Sequence, residues 1–586
     1  MDKNIAFARS ALIASLASAA PMASTAWATP SVSFEGTPVK VEAMTVSAFP
    51  FNRYWPGHQR PKDQTKTAYF ASFDTNRGGT LKVDGESRAI TGSGKYTFEV
   101  ENGKTELHVF ADPPWQHVPV ADEIYFGPGE HFPELILPKD GQTIVIDRGA
   151  VVHGTIFLYK TRGVKIVGRG ILDLSGLQRA DPESAVYRHV VSLGLTKTDL
   201  SEKESDPAMS CTAIVAYGVR DLLIDGIVIR DAPRWTIQVR NDSRGVTIDN
   251  VKIIGSWRYN NDGIDMCSSS EINVRNCFLR TYDDAFIVRA PFLTGEHADC
   301  RDILVEDCVT WNDWGVSMGV CQQYRPSTIA GVTFRRNRVE RPSSTVATVH
   351  VTMGSTNAVI RDVLYEDISV NSPKGLLKQQ LQLADDDAFV AQPLPALNLL
   401  TVSSRKLGQW QGNQKIVDSK GPGWYQIHFD NLVFRNIAVT GEGPRPFANF
   451  STYVPNHRVT NLVCENLPPD LTVTRKGKVE LTETPQPNRH AYVVPNRGPV
   501  SFRLDLGKPC FPTPVRTVLA REMRSFAAST NDDGVVTLAW KGHRLCGADF
   551  SVTGTYDPKT DSFSLRTADN ASGYDIQRTS FPEPIR

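Results

Sequence analysis

Leu222-Leu-Ile224-Asp-Gly-Ile227-Val-Ile229, Val246-Thr-Ile248-Asp-Asn-Val251-Lys-Ile253 and Ile272-Asn-Val274-Arg-Asn-Cys277 share one pattern. Two apolar residues flank a free position, two mostly polar residues follow, and an apolar position returns. The pattern comes back as Ile303-Leu-Val305-Glu-Asp-Cys308, Val332-Thr-Phe334, Val363-Leu-Tyr365-Glu-Asp-Ile368-Ser-Val370, Leu432-Val-Phe434-Arg-Asn-Ile437-Ala-Val439 and Leu462-Val-Cys464-Glu-Asn-Leu467. Through the first six copies the interval is about 24 to 31 residues. Short alternating strands at such a period, with no helical period, are the mark of a β-solenoid. One coil cannot bury its apolar side alone, so neighbours stack at the strand spacing of about 4.8 Å. The Asn and Asp residues after the first strand of each coil suit a tight bend, because they tolerate left-handed backbone. A propeller would need about 40 or more residues per blade. The expected fold is therefore all-β, with a parallel β-helix at its centre.

Working outward, the solenoid is expected to open near Glu123-Ile-Tyr-Phe-Gly127 and to span residues 121–475. Residues 29–120 carry alternating strands broken by Gly and Pro, such as Tyr96-Thr-Phe-Glu-Val100, and read as an N-terminal β-sandwich. Residues 490–586 read as a C-terminal β-rich domain. The long gap between Val370 and Ile427 is expected to be an excursion over the coil face. Residues 1–28 look like a signal peptide: Lys3 and Arg9 precede a small, apolar run, and Ala26-Trp-Ala28 offers a cleavage site. The mature chain is then expected to be periplasmic or secreted.

The chain has 586 residues, with 64 basic residues balancing 64 acidic ones. That balance gives no sign of nucleic acid or a membrane surface as partner, and no apolar run is long enough to span a bilayer. Nine cysteines leave at least one unpaired. Cys267, Cys277, Cys300, Cys308 and Cys321 fall among the coils, while Cys510 and Cys546 are the best disulfide candidates. No C-x-x-C pair or His/Cys cluster suggests structural zinc, and no cofactor or metal is expected.

Asn261-Asp262-Gly263-Ile-Asp265 and Tyr282-Asp283-Asp284 lie about one coil apart, since Asp262 and Asp284 are separated by twenty-two residues. Stacked coils would gather these carboxylates on one patch. Crowded carboxylates split their pKa values and provide an acid and a base together. The pattern points to hydrolysis of a sugar–sugar bond, with a carbohydrate as partner.

From Asp231-Ala-Pro-Arg-Trp-Thr236 through Ile368 the chain resembles family 28 glycoside hydrolases, the polygalacturonase-like enzymes with a right-handed parallel β-helix. Pro233-Arg-Trp235, Asn261-Asp262-Gly263 and Asp283-Asp284 match that family's motifs in order. Phe51-Asn-Arg-Tyr-Trp-Pro-Gly-His-Gln-Arg-Pro61 looks like the extra domain of bacterial relatives. The resemblance implies single displacement with inversion, with Asp283 as general acid and Asp262 and Asp284 holding and deprotonating the water.

Two motifs depart from the family pattern. Where the family has Gly-His-Gly, this chain has Asp313-Trp314-Gly315, and where it has Arg-Ile-Lys, the chain has His350-Val351-Thr352. The cationic pair that grips a uronate carboxylate is missing, which favours a neutral or differently substituted sugar. Arg289, Arg325 or Arg258 could supply a substitute cation. Trp314 is a candidate sugar platform or a coil-corner core residue. His350 could bind substrate hydroxyls or be structural, and Asn261 is a further candidate contact. Trp235 is expected to pack beneath the site. Asp265 could orient Asp262 or be a solvated strand acid. Family 49 dextranases share the fold and three aspartates and form one alternative. A uronate lyase or C5-epimerase on the same fold is another, and a non-catalytic glycan-binding solenoid is the third.

Overall fold

The computed structural model describes residues 29–48, 64–100, 105–179, 181–195, 209–290, 299–322, 327–342, 345–351, 357–374, 376–378, 392–393, 396–404, 426–452 and 457–483, and beyond them backbone strands between 501 and 579. The proposed signal segment, the 51–61 motif, Arg325, Cys510 and Cys546 lie outside these residues.

A single sheet assembly of 29 strands, wound as a right-handed parallel β-helix, forms the body of the chain. Its register explains the sequence repeat. Leu222 pairs with Val246, Val246 with Ile272, Ile272 with Ile303 and Ile303 with Val332. The row continues through Val363, Leu432 and Leu462. Every copy of the motif thus occupies the same place in its coil, and the apolar positions meet in one continuous core. The bend after this strand is left-handed at Asn250, Asn276, Asp307, Asp367, Asn436 and Asn466, with φ between 48° and 54°. Stacked side chains tie the bend together: the Asn436 amide donates to Asp367 Oδ1 at 2.9 Å, and the Asn466 amide to Asn436 Oδ1 at 2.9 Å.

The long gap belongs to one coil, because strand Asn357–Asn371 pairs directly with Gln426–Thr440. Within the gap, strand Leu397–Ser404 stacks on Thr345–Val351. The excursion therefore includes a coil strand of its own. Residues 379–391 and 405–425 lie outside the described residues.

Ahead of the solenoid lie two four-stranded sheets. Leu81, Val83, Leu107 and Val109 belong to the core they share. The outer side of one sheet, through Met44, Val46, Phe70 and Phe110, packs on Ile171, Val228, Ile254, Phe278 and Val309 of the coils. Buried charge crosses the same junction. Arg280 Nη2 lies 2.5 Å from Glu106 Oε2, and Lys252 Nζ lies 2.5 Å from Asp112 Oδ1. After the solenoid, the backbone forms a three-stranded and a four-stranded antiparallel sheet.

One helix, Ala185–Ser192, falls in a stretch whose sequence patterning reads as a loop. Ser184 caps it by accepting from Tyr187 N at 3.1 Å, and Val186 and Val190 are buried. Eight residues with two buried valines carry too little periodicity to stand out from a loop. Among the described residues no helix is long and apolar enough to cross a membrane. Cys211, Cys267, Cys277, Cys300, Cys308 and Cys321 are buried in or against the coils.

Candidate active site

Strand Ile264–Cys267 pairs with Phe286–Ala290 so that Ile264 faces Phe286 and Cys267 faces Arg289. Continued two residues back, this register sets Asp262 beside Asp284 on adjacent coils. The turns ahead of the two strands are laced together through the backbone. Gly263 N donates to Asp284 O at 2.8 Å, Asp283 N to Asn261 O at 3.2 Å, and Thr236 N to Asp262 O at 2.9 Å. Glycine at 263 is required because a Cβ there would lie 2.5 Å from the carbonyl oxygen of Ala285.

Arg289 gathers the carboxylates. Its Nη2 donates to Asp262 Oδ2 at 3.0 Å and to Asp284 Oδ2 at 2.9 Å. Its Nε lies 3.6 Å from Asp265 Oδ1. The guanidinium carbon sits 4.5 Å from the ring centre of Trp235, a cation–π contact. Trp235 is 3 % exposed and so packs beneath the acids. Asp284 has its second oxygen fixed by Val316 N at 2.8 Å, and Asp283 Oδ1 accepts from Asp284 N at 3.0 Å.

Exposure separates the four acids. Asp262 is 2 % exposed and Asp265 fully buried, whereas Asp283 and Asp284 are half-buried. Burial, reinforced by the charges of Asp265 and Asp283, raises Asp262 well above the usual carboxylate range, against the pull of Arg289. Asp265 is pushed up to about 7 by burial, with Arg289 opposing. Asp283 is pushed up to about 7 by burial and by the charge of Asp284. The cluster therefore retains protons near neutrality. Asp262 Oδ1 and both oxygens of Asp265 are buried with no hydrogen-bond donor among the described residues. Asp265 is not the solvated strand acid that the sequence allowed.

Trp314 is half-buried and stacks on Tyr282, with ring centres 6.2 Å apart and planes at 11°. Tyr282 immediately precedes Asp283, so Trp314 stands beside the acids. The sequence offers no sign of the Tyr282 contact. Asp313, next to Trp314, accepts from the Ser47 hydroxyl and from Trp311 Nε1 at 3.3 Å. The N-terminal sheets thereby reach the loop that carries Trp314, a link no local motif could announce.

The remaining candidates divide. His350 lies in the same row as Arg289 through Cys321, two strands along, and its Nδ1 bonds Thr348 Oγ1 at 3.0 Å. Asn261 is fully buried and gives its amide to Arg234 O at 2.8 Å. Arg258 is 3 % exposed and donates to the carbonyls of Ser175, Leu177 and Asp231. Asn261 also donates to Thr236 Oγ1 at 3.5 Å, and the Arg258 guanidinium lies 4.8 Å from the Trp257 ring centre.

Residues 155–380 match the profile of glycosyl hydrolases family 28. A dextranase of Arthrobacter globiformis is 25 % identical over 208 residues, 33 % of this chain and 28 % of that protein. A polygalacturonase of Cochliobolus carbonum is 25 % identical over 162 residues, 27 % of this chain and 41 % of that protein. The chain thus spans less than half the length of these curated relatives. Among solved structures, the polygalacturonase from Erwinia carotovora ssp. carotovora aligns with a TM-score of 0.38 at 12 % identity, covering 60 % of this chain and 86 % of that one. Dex49A from Penicillium minioluteum aligns with a TM-score of 0.38 at 11 % identity, covering 76 % and 93 %.

Proposed function

That residues 155–380 are a family 28 glycosyl hydrolase region is the premise from which we propose that this protein hydrolyses O-glycosidic bonds of a neutral poly- or oligosaccharide, with inversion. The observation that carries the reading is the Asp262–Arg289–Asp284 bridge beside the raised Asp283. Asp283 holds a proton near neutrality and gives it to the leaving glycosidic oxygen. Asp262 and Asp284 hold a water on the opposite face of the sugar, and Asp284, its Oδ2 held by Arg289, takes the water's proton as the oxygen attacks the anomeric carbon. Trp314 offers a partly exposed ring to the C–H face of a pyranose.

A neutral substrate is supported by where the two candidate cations among the described residues are engaged. Arg289 is turned onto the acids, and Arg258 onto backbone carbonyls. Trp314 and His350 stand where the family carries histidine and a basic pair. Residues 1–28 have the character of an export signal, which would place the mature protein in the periplasm or outside the cell.

The test is a panel of neutral glycans, dextran among them, set beside polygalacturonate. We expect new reducing ends from a neutral glycan, and proton NMR of the first product should show the inverted anomer. Preference for polygalacturonate would overturn the substrate class. Retention of configuration would overturn the water-activating roles, and unsaturated, ultraviolet-absorbing products would replace hydrolysis with elimination.

A further inference from the structure

We propose that Arg289 is the positioning residue of this site: it clamps Asp262 and Asp284 onto one water and does not grip the substrate. The inference rests on the hydrolytic reading above and extends it. A single nitrogen, Nη2, reaches one oxygen of each carboxylate, at 3.0 Å and 2.9 Å. Two carboxylates on neighbouring coils would otherwise repel each other across one strand spacing. Bridged by one donor, they converge on a shared point, which is the geometry a two-carboxylate water site requires.

The clamp is itself held. The guanidinium lies over the Trp235 ring at 4.5 Å, and its Nε faces the buried Asp265 carboxylate at 3.6 Å. With 8 % of its side chain exposed, Arg289 has little surface left to offer a ligand. Asp265 faces the guanidinium from below, and Trp235 limits its tilt. Asp262 Oδ1 is buried and has no donor among the described residues.

Substitution should therefore alter catalysis in a specific way. The charged or titratable groups facing Arg289 are Asp262 and Asp265 on its preceding coil, Asp283 and Asp284 in its own turn, and Cys321 on the next. Arg234 and Arg240 stand further back and act on Asp265. Removing the Arg289 cation takes away the pull that opposes the raising of Asp262, Asp265 and Asp283, so these three hold their protons to higher pH.

The experiment compares Arg289→Gln and Arg289→Lys with the unaltered protein on the best glycan of the panel. For Arg289→Gln we expect kcat to fall about 100-fold with KM within about threefold, the signature of an interaction used at the transition state. Both limbs of the pH–rate profile should move alkaline by about one pH unit. Arg289→Lys, which keeps the charge, should recover at least about tenfold of the loss and most of the alkaline displacement. A rise in KM with kcat unchanged would overturn the proposal in favour of a substrate grip. A fall in kcat with an unmoved profile would overturn it in favour of a purely structural role. Should Arg289→Gln not fold, Arg289→Lys decides: a lowered kcat at constant KM with a small residual alkaline displacement supports the clamp, and a raised KM at unchanged kcat, or a lowered kcat with no displacement at all, overturns it. The hydrolytic reading fails separately, if the unaltered protein releases no reducing ends or keeps full activity as Asp283→Asn.

Discussion

A Cβ added to Gly315 would lie 2.2 Å from the backbone nitrogen of Asp284 and 2.3 Å from the carbonyl carbon of Asp283. The following coil therefore presses its bare backbone against the Asp283–Asp284 peptide, and Gly315 N donates to Tyr282 O at 3.1 Å. The contact is backbone on backbone, so no side-chain rotation can relieve it. Gly315→Ala is expected to displace the acid pair. Displacement of about 1 Å at a reacting centre costs about 100-fold in rate, and overpacking costs about 1–3 kcal/mol in stability. Kinetics and thermal melting together check this: full activity at unchanged melting temperature would show that the turn can yield.

Much of this is legible in the sequence, and the reason is the register. Because side chains repeat at one place per coil, a motif found at Leu222 and again at Leu462 has to stack. Asp262 and Asp284 have to meet for the same cause. What stays hidden runs across the repeat rather than along it. Arg289 can be suspected as a cation near the site, but only the folded chain turns its guanidinium inward onto Asp262. The Ser47–Asp313 and Glu106–Arg280 contacts join residues 266 and 174 positions apart, and no local pattern encodes such pairs. The helix Ala185–Ser192 escapes a sequence reading because its apolar stripe is two residues long.

Glu106 is held by two cations. Arg280 lies at 2.5 Å and Lys66 at 2.7 Å, with Arg280 itself 1 % exposed. Burial works to raise the Glu106 carboxyl, but Arg280 and Lys66 outweigh it and hold it below the usual range. Glu106→Gln would strand the buried Arg280 guanidinium. Breaking one side of a buried pair costs about 3–5 kcal/mol. We expect a lower denaturation midpoint and a looser junction between the N-terminal sheets and the coils, read by limited proteolysis. An unchanged midpoint would mean the pair contributes little.

Asp265 should make stability fall as pH rises. Its carboxyl sits at about 7 in the folded protein against the ordinary 3.8 of an aspartate in water. Between those values the folded chain binds more protons than the unfolded one, so the unfolding free energy decreases with pH. The loss begins above the unfolded pKa and is complete above the folded one, at about 1.4 kcal/mol for each pH unit crossed between them. Glu106 works in the opposite sense, adding stability that disappears only as pH falls below the ordinary carboxylate range. Denaturation measured from about pH 4 to 8 should therefore slope downward, and Asp265→Asn should lessen that slope, leaving the share that Asp262 and Asp283 contribute. An equal slope in the variant would place the titration elsewhere in the cluster.

Asp283 sets the final expectation, because its role as proton donor has a signature that loss of fold cannot imitate. Held at about 7 by burial and by the neighbouring charge of Asp284, it is protonated on the acid side and ionised on the basic side of neutrality. The rate on the natural glycan should decline as pH climbs through that value. Asp283→Asn should cost about 100- to 10,000-fold, the usual worth of a positioned general acid. An aryl glycoside of the same sugar, whose leaving group departs without help, needs no donor. On that substrate the variant should lose far less activity, and the basic limb of its profile should vanish. Equal losses on both substrates would mean that residue 283 shapes the site without delivering the proton, and the acid would have to be sought among the other carboxylates around Arg289.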